Sequence, residues 1–461
     1  MNFIITKLMW QNGTRINQYL FAVIITIPLL SFGMVQGWLS PMLSVLQSSE
    51  GPAPEPFSST DISWMTSVTY ITAIIFGAPM GYLTDRYGRK VMTLITTFSL
   101  ILYWQIKLLI TEAMGAYSCP RHRWGALGSL LILNRNIGYL ASYVFADLLE
   151  VTPMLWMGLL VPTVMFFIFL IMPETPEFLV KQGKIDEAKT VLAWLRGVSV
   201  VDRALEQEID GLVKVEKQTK EEAKKVWKII LKDKPTFKAF IITLVIKITQ
   251  QFDGYLIVLI YAGFVFEKAS ESISLKLSPN KQVMMIGLVQ LLGSIIGTCI
   301  VEKTGRKLLL VTTSFAIGVG MLLLSAWFYL TDIGTWLPGW LPVFAMCFCI
   351  FADAAGFQPI SYIIITDLFT FQLRGTVSSF ANICAKLSNF VQMKWFNKVC
   401  ELISIHWTFL FFACVCFFAC FYTLIAFPET RQKSVEEIYE KLSNRKKDKK
   451  DTKDERIKAV P

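Results

Sequence analysis

Long runs of apolar residues constrain the fold of this chain more than any other feature. A run of about 20 apolar residues crosses the hydrocarbon core of a bilayer as a helix. A helix also satisfies its own backbone hydrogen bonds where there is no water to do so. The composition agrees, since 54% of the 461 residues are apolar and only 17% are charged. The sequence therefore predicts an all-α polytopic membrane protein.

The apolar runs predict about 11 spans, five before a long hydrophilic stretch and six after it. They lie at 19–40, 62–83, 91–112, 126–147, 153–172, 238–262, 283–301, 308–330, 340–366, 376–398 and 407–427. This pattern predicts a first bundle at 19–172 and a second bundle at 238–427. The remaining regions are predicted to be cytoplasmic: the N-terminus at 1–18, a loop with short helices at 173–237 and a largely disordered tail at 428–461.

Two short signatures occur twice in the same order, which indicates an internal repeat. Asp85-Arg86-Tyr87-Gly88-Arg89-Lys90 corresponds to Glu302-Lys303-Thr304-Gly305-Arg306-Lys307, and Pro173-Glu174-Thr175 corresponds to Pro428-Glu429-Thr430. The first signature precedes the second by 88 residues in the front half (173 − 85) and by 126 in the back half (428 − 302). The difference is about the size of one spanning helix with its loop.

The distribution of basic residues locates this difference. Arg89 and Lys90 place their loop inside, and so does the Lys/Arg-rich stretch 173–235, yet three predicted spans lie between the two. Arg374 follows Glu302 by 72 residues, whereas the comparable Arg123 follows Asp85 by only 38. We therefore predict that the fourth helix of a twelve-helix plan is missing between Asp85 and Arg123.

Four motifs in order resemble the sugar-porter branch of the major facilitator superfamily, and within it the insect facilitated trehalose transporter-like proteins. They are Gly81-x-x-x-Asp85-Arg86-x-Gly88-Arg89-Lys90, Gln250-Gln251-Phe252-Asp253-Gly254, Gly356-Phe357-Gln358-Pro359 and the ending from Pro428 to Ile438. The resemblance implies a major facilitator fold with two pseudo-symmetric helical bundles, and facilitated diffusion of trehalose or a hexose by alternating access.

The same resemblance implies a cell-membrane protein with both termini in the cytoplasm, a small-molecule sugar and the lipid bilayer as partners, and no cofactor. We expect no enzyme, since the sequence has no metal-ligand spacing, nucleophile motif or phosphate-binding loop. The net charge of +10 is attributed to cytoplasmic flanks of the spans by the positive-inside rule, so no nucleic acid is expected. The alternative is a transport-incompetent relative, acting as a sensor or partner subunit, or an incomplete gene model.

Gln250 and Gln251 are the leading candidates for substrate contact. Amides inside an apolar span are costly unless they face water, a partner or a ligand. The resemblance implies that they contact the sugar, with Tyr362 where the family usually has tryptophan and with Gly356 in its GxGP motif. The alternative is hydrogen bonding between helices.

The resemblance also implies a cytoplasmic latch, a set of charge pairs that stabilises the outward-open state. Its candidate residues are Asp85, Arg86, Arg89, Glu174, Arg306, Arg374 and Glu429. The alternative is that these charges only set the topology and keep the loops soluble.

Several polar positions of the family are changed here, namely Ile132, Leu256, Ala385 and Lys386. New charges also occur within predicted spans, namely Arg135, Lys247, Asp353 and Lys386. Charges at that depth are usually paired or line a wet cavity. They indicate a changed, anionic substrate or proton coupling through Asp353, or else internal ion pairs and drift in a chain no longer selected for transport.

Overall fold

The computed structural model describes residues 16–37, 58–113, 128–148, 151–196, 205–213, 226–260, 279–335, 337–431, 433 and 435–442. This part of the chain is helical and contains no strand. The predicted all-α class is therefore confirmed.

Five long helices form the front half: α1 (Ile16–Gly37), α2 (Ser59–Tyr87), α3 (Arg89–Ala113), α4 (Gly128–Leu148) and α5 (Val151–Ile171). The connecting region contains α6 (Pro176–Lys181), α7 (Ile185–Arg196) and α8 (Val226–Lys232). The back half contains α9 (Lys234–Gln251), α10 (Pro279–Thr304), α11 (Arg306–Asp332), α12 (Trp340–Ala352), a π-helical turn (Asp353–Phe357), α13 (Gln358–Leu368), α14 (Phe371–Ile403) and α15 (Ile405–Ala426).

Six described segments are long and apolar enough to cross a membrane by length and composition: Pro153–Ile171, Lys234–Ile260, Met284–Val301, Arg306–Asp332, Trp340–Leu368 and Ile405–Ala426. The full number of spans stays a prediction. The region that follows the back half begins with a helix, α16 (Val435–Leu442), whose Ile438 and Leu442 are buried. The predicted tail at 428–461 is thus ordered at its start, and residues 443–461 lie outside the described part.

Helices α1 and α4 run parallel and touch through glycines. A Cβ atom on Gly33 would lie 3.0 Å from the Cα of Gly138 and would collide with the carbonyl oxygen of Arg135. A Cβ on Gly138 would collide in the same way with the carbonyl oxygen of Leu30. Small residues let two backbones approach closely, which is the main source of packing energy between helices in lipid.

Helices α3 and α5 run antiparallel. Lys90 Nζ donates to the carbonyl oxygen of Leu170 at 3.0 Å, and the rings of Phe98 and Phe166 lie 6.2 Å apart. Further along, Trp104 lies against Gly158. The start of α3 and the end of α5 therefore lie at one end of the molecule, which we call the signature end because it carries Gly88 and Gly305.

The directions of these helices bear on the predicted loss of the fourth helix. Met34 of α1, Trp104 of α3 and Leu155 of α5 form one apolar cluster, so α1 and α3 both end away from the signature end. Since α4 runs parallel to α1, α4 begins at the signature end, opposite to the end of α3. Only residues 114–127 separate the two helices in the chain, fewer than the about 20 that a spanning helix needs.

The back half has a helix in the corresponding position. Helices α11 and α15 pair like α3 and α5, with Lys307 Nζ donating to the carbonyl oxygen of Leu424 at 2.8 Å. Between α11 and α14 the chain returns to the signature end through α12 and α13, and Cys349 of α12 packs against Gly320 of α11. In the front half, the residues between α3 and α4, 114–127, lie outside the described part, so the loss of the fourth helix stays a prediction.

The two halves meet along α2 with α14 and along α4 with α10. Ser63 Oγ donates to the carbonyl oxygen of Lys394 at 2.9 Å, and Lys394 Nζ lies 3.6 Å from the centre of the Trp64 ring. Gly287 of α10 lies against the ring of Tyr143. These contacts lie in the parts of the helices that are remote from the signature end.

Candidate functional site

In the front half, Glu174 caps the start of α3. Its Oε1 and Oε2 accept the backbone N–H of Lys90 at 3.0 and 3.1 Å. Gly88, which precedes the helix, has φ of +99°, and a Cβ there would meet both Glu174 and the ring of Phe178. A carboxylate at a helix N-terminus is favoured by the helix dipole and by unpaired N–H groups.

Glu429 makes the same arrangement in the back half. Its Oε1 accepts the N–H of Arg306 at 3.0 Å and its Oε2 that of Lys307 at 3.1 Å, and Gly305 has φ of +89°. Although burial alone raises the pKa of Glu429, the backbone N–H groups of Arg431, Arg306 and Lys307 hold it below its ordinary value. The two signature loops are thus built alike, as the repeat predicts.

The arginines of the two signature loops lie beside other carboxylates. Arg89 pairs with Glu177, and both side chains are about two-fifths exposed (39% and 42%), so this pair stabilises little. Arg306 Nε lies 3.3 Å from Asp367 Oδ2, which also accepts from Thr430 Oγ1 at 2.8 Å. Glu174 and Glu429 themselves accept backbone N–H groups.

The other latch candidates take different positions. Arg374 donates to the carbonyl oxygens of Thr366 at 2.6 Å and Phe369 at 2.8 Å. Arg86 is exposed, with its guanidinium 5.6 Å from the ring centre of Tyr87. The side chain of Asp85 lies outside the described part of the structure. A latch that joins the two halves therefore stays a prediction.

The Glu429→Gln variant should unfold more readily than the parent, by about 1 kcal/mol, because a neutral amide is a weaker cap for the start of α11. Since the pKa of Glu429 is lowered in the folded protein, its contribution is present above the ordinary pKa of glutamate and is lost as the pH falls through the folded value. The midpoint of thermal unfolding in detergent measures both effects. Glu401→Gln, at an exposed site, is the matched control, and equal midpoints at pH 7 would contradict the capping role.

Gln250 and Gln251 end α9 at an interruption of the spanning helix. Gln250 is 5% exposed, and Gln251 Nε2 donates to its Oε1. Asp253 Oδ1 then accepts the N–H of Tyr255 at 2.9 Å, where the helix resumes at 255–260. Gly254 between them has φ of +81°. The QQFDG motif thus produces a helix break with two amides at its edge, and neither the break nor the cap by Asp253 was predicted.

Tyr362 lies beside a buried cation. Lys247 is 1% exposed, and its Nζ lies 3.3 Å from both Ser361 Oγ and the centre of the Tyr362 ring. Tyr362 itself is 38% exposed. A cation on an aromatic ring fixes the orientation of the ring, which is how a sugar-stacking residue needs to be held.

Gly356 is explained by packing. It lies in the π-helical turn, and a Cβ there would come within 2.9 Å of Thr313 Oγ1 and 3.0 Å of Leu309 Cγ on α11. The glycine therefore allows a close approach of two helices. Its predicted contact with substrate receives no support from this position.

A polar network between α4 and α10 was not among the predicted site residues. Gln290 Nε2 donates to Asn136 Oδ1 at 3.0 Å and to Tyr255 OH at 2.7 Å, while Asn136 Nδ2 donates to Ser294 Oγ. Asn136 belongs to the front half and Gln290 to the back half. Amides within apolar runs were the available signal, because such side chains need partners in lipid.

Comparison with known proteins assigns this architecture to a family. The family described as "Sugar (and other) transporter" matches residues 109–442, well over half of the chain, and the family described as "Major Facilitator Superfamily" matches residues 16–111. The chain therefore belongs to the sugar transporter family of the major facilitator superfamily. It is a multi-pass membrane protein, and its family consists of transporters rather than enzymes.

Individual relatives agree with this assignment. The chain is 26% identical over 453 residues to the facilitated trehalose transporter Tret1 of Bombyx mori, covering 93% of this chain and 87% of the relative. It is 25% identical over 457 residues to Tret1 of Culex quinquefasciatus, covering 93% and 86%. Among solved structures, the proton:xylose symporter XylE bound to 6-bromo-6-deoxy-D-glucose superposes with a TM-score of 0.71, covering 91% of this chain and 98% of that one at 19% identity.

Proposed function

We propose that this protein carries trehalose or a hexose across the cell membrane by facilitated diffusion, with both termini in the cytoplasm. The observation that carries this proposal is the buried amide pair Gln250 and Gln251 at the break of α9. Fixed amide donors and acceptors beside an aromatic ring suit the hydroxyl groups and ring face of a sugar. The relatives named as trehalose transporters support this substrate class.

Alternating access is the proposed mechanism. The contact of Ser63 with Lys394 between the halves lies away from the signature end, while the carboxylate caps Glu174 and Glu429 lie at it. Two rigid halves that rock about a central site expose that site to each side in turn. No covalent step and no bound cofactor is needed.

Uptake into vesicles tests the proposal. The purified full chain is reconstituted into liposomes, and entry of radiolabelled trehalose and glucose is followed over time. We expect saturable flux that unlabelled sugar suppresses and that empty liposomes lack. Flux equal to that of empty liposomes for both sugars would overturn the proposal.

A second candidate function follows from the incomplete front half. Because α3 ends and α4 begins at opposite ends of the bundle, the chain needs a connection through lipid depth where α12 and α13 stand in the back half. This observation favours a transport-incompetent relative, a sensor or partner subunit, or a gene model that lacks one exon. Full-length transcripts across the codons for Glu112 to Gly125 decide between them, since about 35 additional codons there would restore the twelve-helix plan.

A further inference from the structure

Four ionisable side chains form one cluster near the middle of the spanning helices. They are Arg135 on α4, Lys247 on α9, Asp253 in the break after α9 and Asp353 in the π-helical turn. Asp353 lies within electrostatic range of the other three. We call this cluster the charged centre. Charges at lipid depth are costly, so their partners identify what the site is built to hold.

Two members of the charged centre have protein partners, although Oδ2 of Asp253 is buried without a hydrogen bond. Lys247 Nζ lies on Ser361 and the Tyr362 ring, and one oxygen of Asp253 accepts the N–H of Tyr255. These contacts explain how both groups are accommodated in the back half.

Arg135 and Asp353 differ from the other two. The Nε and Nη2 of Arg135 are buried and have no hydrogen-bond partner among the protein groups described. Asp353 is fully buried too, and its carboxylate lies beside Gln250 and Asp253. A buried charged group whose donors lack hydrogen-bond partners is unfavourable, so this edge of Arg135 is suited to a ligand.

The donors of Arg135 have a defined geometry. Nε and Nη2 form one edge of the guanidinium plane, and this edge donates two parallel hydrogen bonds to a carboxylate. Hydroxyl groups, in contrast, are bound by amides and by single carboxylate oxygens. Gln250, Gln251 and Asp353 offer such groups from the back half, whereas Arg135 belongs to the front half.

We infer that the solute this protein prefers is a sugar acid, with its carboxylate on the Nε–Nη2 edge of Arg135 and its hydroxyl groups on Gln250, Gln251 and Asp353. This inference rests on the proposed function and specifies its substrate class. A neutral sugar offers the guanidinium edge only hydroxyl oxygens, whose hydrogen bonds are about half as strong as those of a carboxylate. A sugar acid also links the two halves, because its ends bind different halves.

Competition in liposomes tests the inference. Uptake of radiolabelled glucose and of radiolabelled glucuronate is measured with the purified full chain, with the membrane potential held at zero by valinomycin and equal potassium. We expect glucuronate to suppress glucose uptake at a lower concentration than unlabelled glucose does.

The Arg135→Gln variant should need at least about tenfold more glucuronate for the same suppression, whereas its glucose flux should fall by a smaller factor because hydroxyl groups bind the guanidinium more weakly. Arg135→Lys should show a similar loss, because an ammonium keeps the charge but not the planar edge. Arg196→Gln is the matched control, since Arg196 forms an exposed pair with Glu208 at 2.6 Å in the connecting region.

The outcomes separate this inference from the proposed function. Glucose flux on which glucuronate has no effect would overturn the inference and leave the proposed function standing. An equal loss of glucose and glucuronate transport in Arg135→Gln would assign Arg135 to structure and would also overturn it. Absence of saturable flux for both solutes would overturn the proposed function itself. If both Arg135 variants aggregate, the competition between glucuronate and glucose in the parent protein still tests whether a sugar acid is preferred.

Discussion

The Gly138→Leu variant should accumulate largely as aggregated or degraded protein. Position 138 has no room for a side chain, because its first atom would collide with the carbonyl oxygen of Leu30 on α1. The two helices must separate, and the loss of their backbone contact costs at least the 1–3 kcal/mol or so of an overpacked core. Gly138→Ala should give an intermediate loss. Fluorescence-detected size-exclusion chromatography and the midpoint of thermal unfolding measure both.

Gly375 provides the matched control for this prediction. It also lies in a long helix, α14, but a Cβ there meets nothing within 4 Å. Gly375→Leu should fold as well as the parent, with a gain of up to about 1 kcal/mol from its higher helix propensity. Equal unfolding midpoints for Gly138→Leu and Gly375→Leu would show that α1 and α4 do not pack through their backbones.

The Gln251→Ala variant should lose sugar flux almost completely while its abundance in the membrane stays unchanged. The side chain stands at the end of α9 and donates to Gln250, so its removal leaves the helix intact and removes fixed polar groups from the proposed site. Without the amide, a hydroxyl group of the sugar is left without a hydrogen-bond partner in a site that excludes water. This costs about 1–3 kcal/mol, which corresponds to roughly 10- to 100-fold in rate or affinity. Initial uptake rates, normalised to protein in the vesicles, provide the measurement.

Gln182→Ala is the control for Gln251→Ala, because Gln182 is exposed at the end of α6. Its flux should equal that of the parent. Transport at the parental rate in Gln251→Ala would show that the amide pair is structural, in line with hydrogen bonding between helices.

The apolar runs located the long helices well, but not their ends. The predicted span 376–398 is part of α14, which extends from Phe371 to Ile403. The predicted span at 238 starts four residues late, because Asp233 caps α9 by accepting the N–H of Thr236 at 3.2 Å. Polar residues at the ends of a spanning helix remain helical, and hydropathy does not register them.

The partners of the signature residues could not be predicted from the chain. Glu174 binds a backbone N–H 84 residues away, and Arg306 pairs with Asp367 from a helix 61 residues further on. The motifs identified the charged residues of the signature loops, yet each of these side chains has several possible partners within reach. Only the relative positions of packed helices select one of them.

The sequence by itself determined the helical class, because length and hydrophobicity along one helix decide membrane insertion locally. It also showed the internal repeat, from which the loss of the fourth helix is predicted. Tertiary structure alone decided that α1 and α4 touch through Gly33 and Gly138, that the signature carboxylates cap helices, and that Arg135 of the front half lies within electrostatic range of Asp353 of the back half. These features depend on distances between atoms remote in the chain. Packing fixes such distances, and no local pattern encodes them.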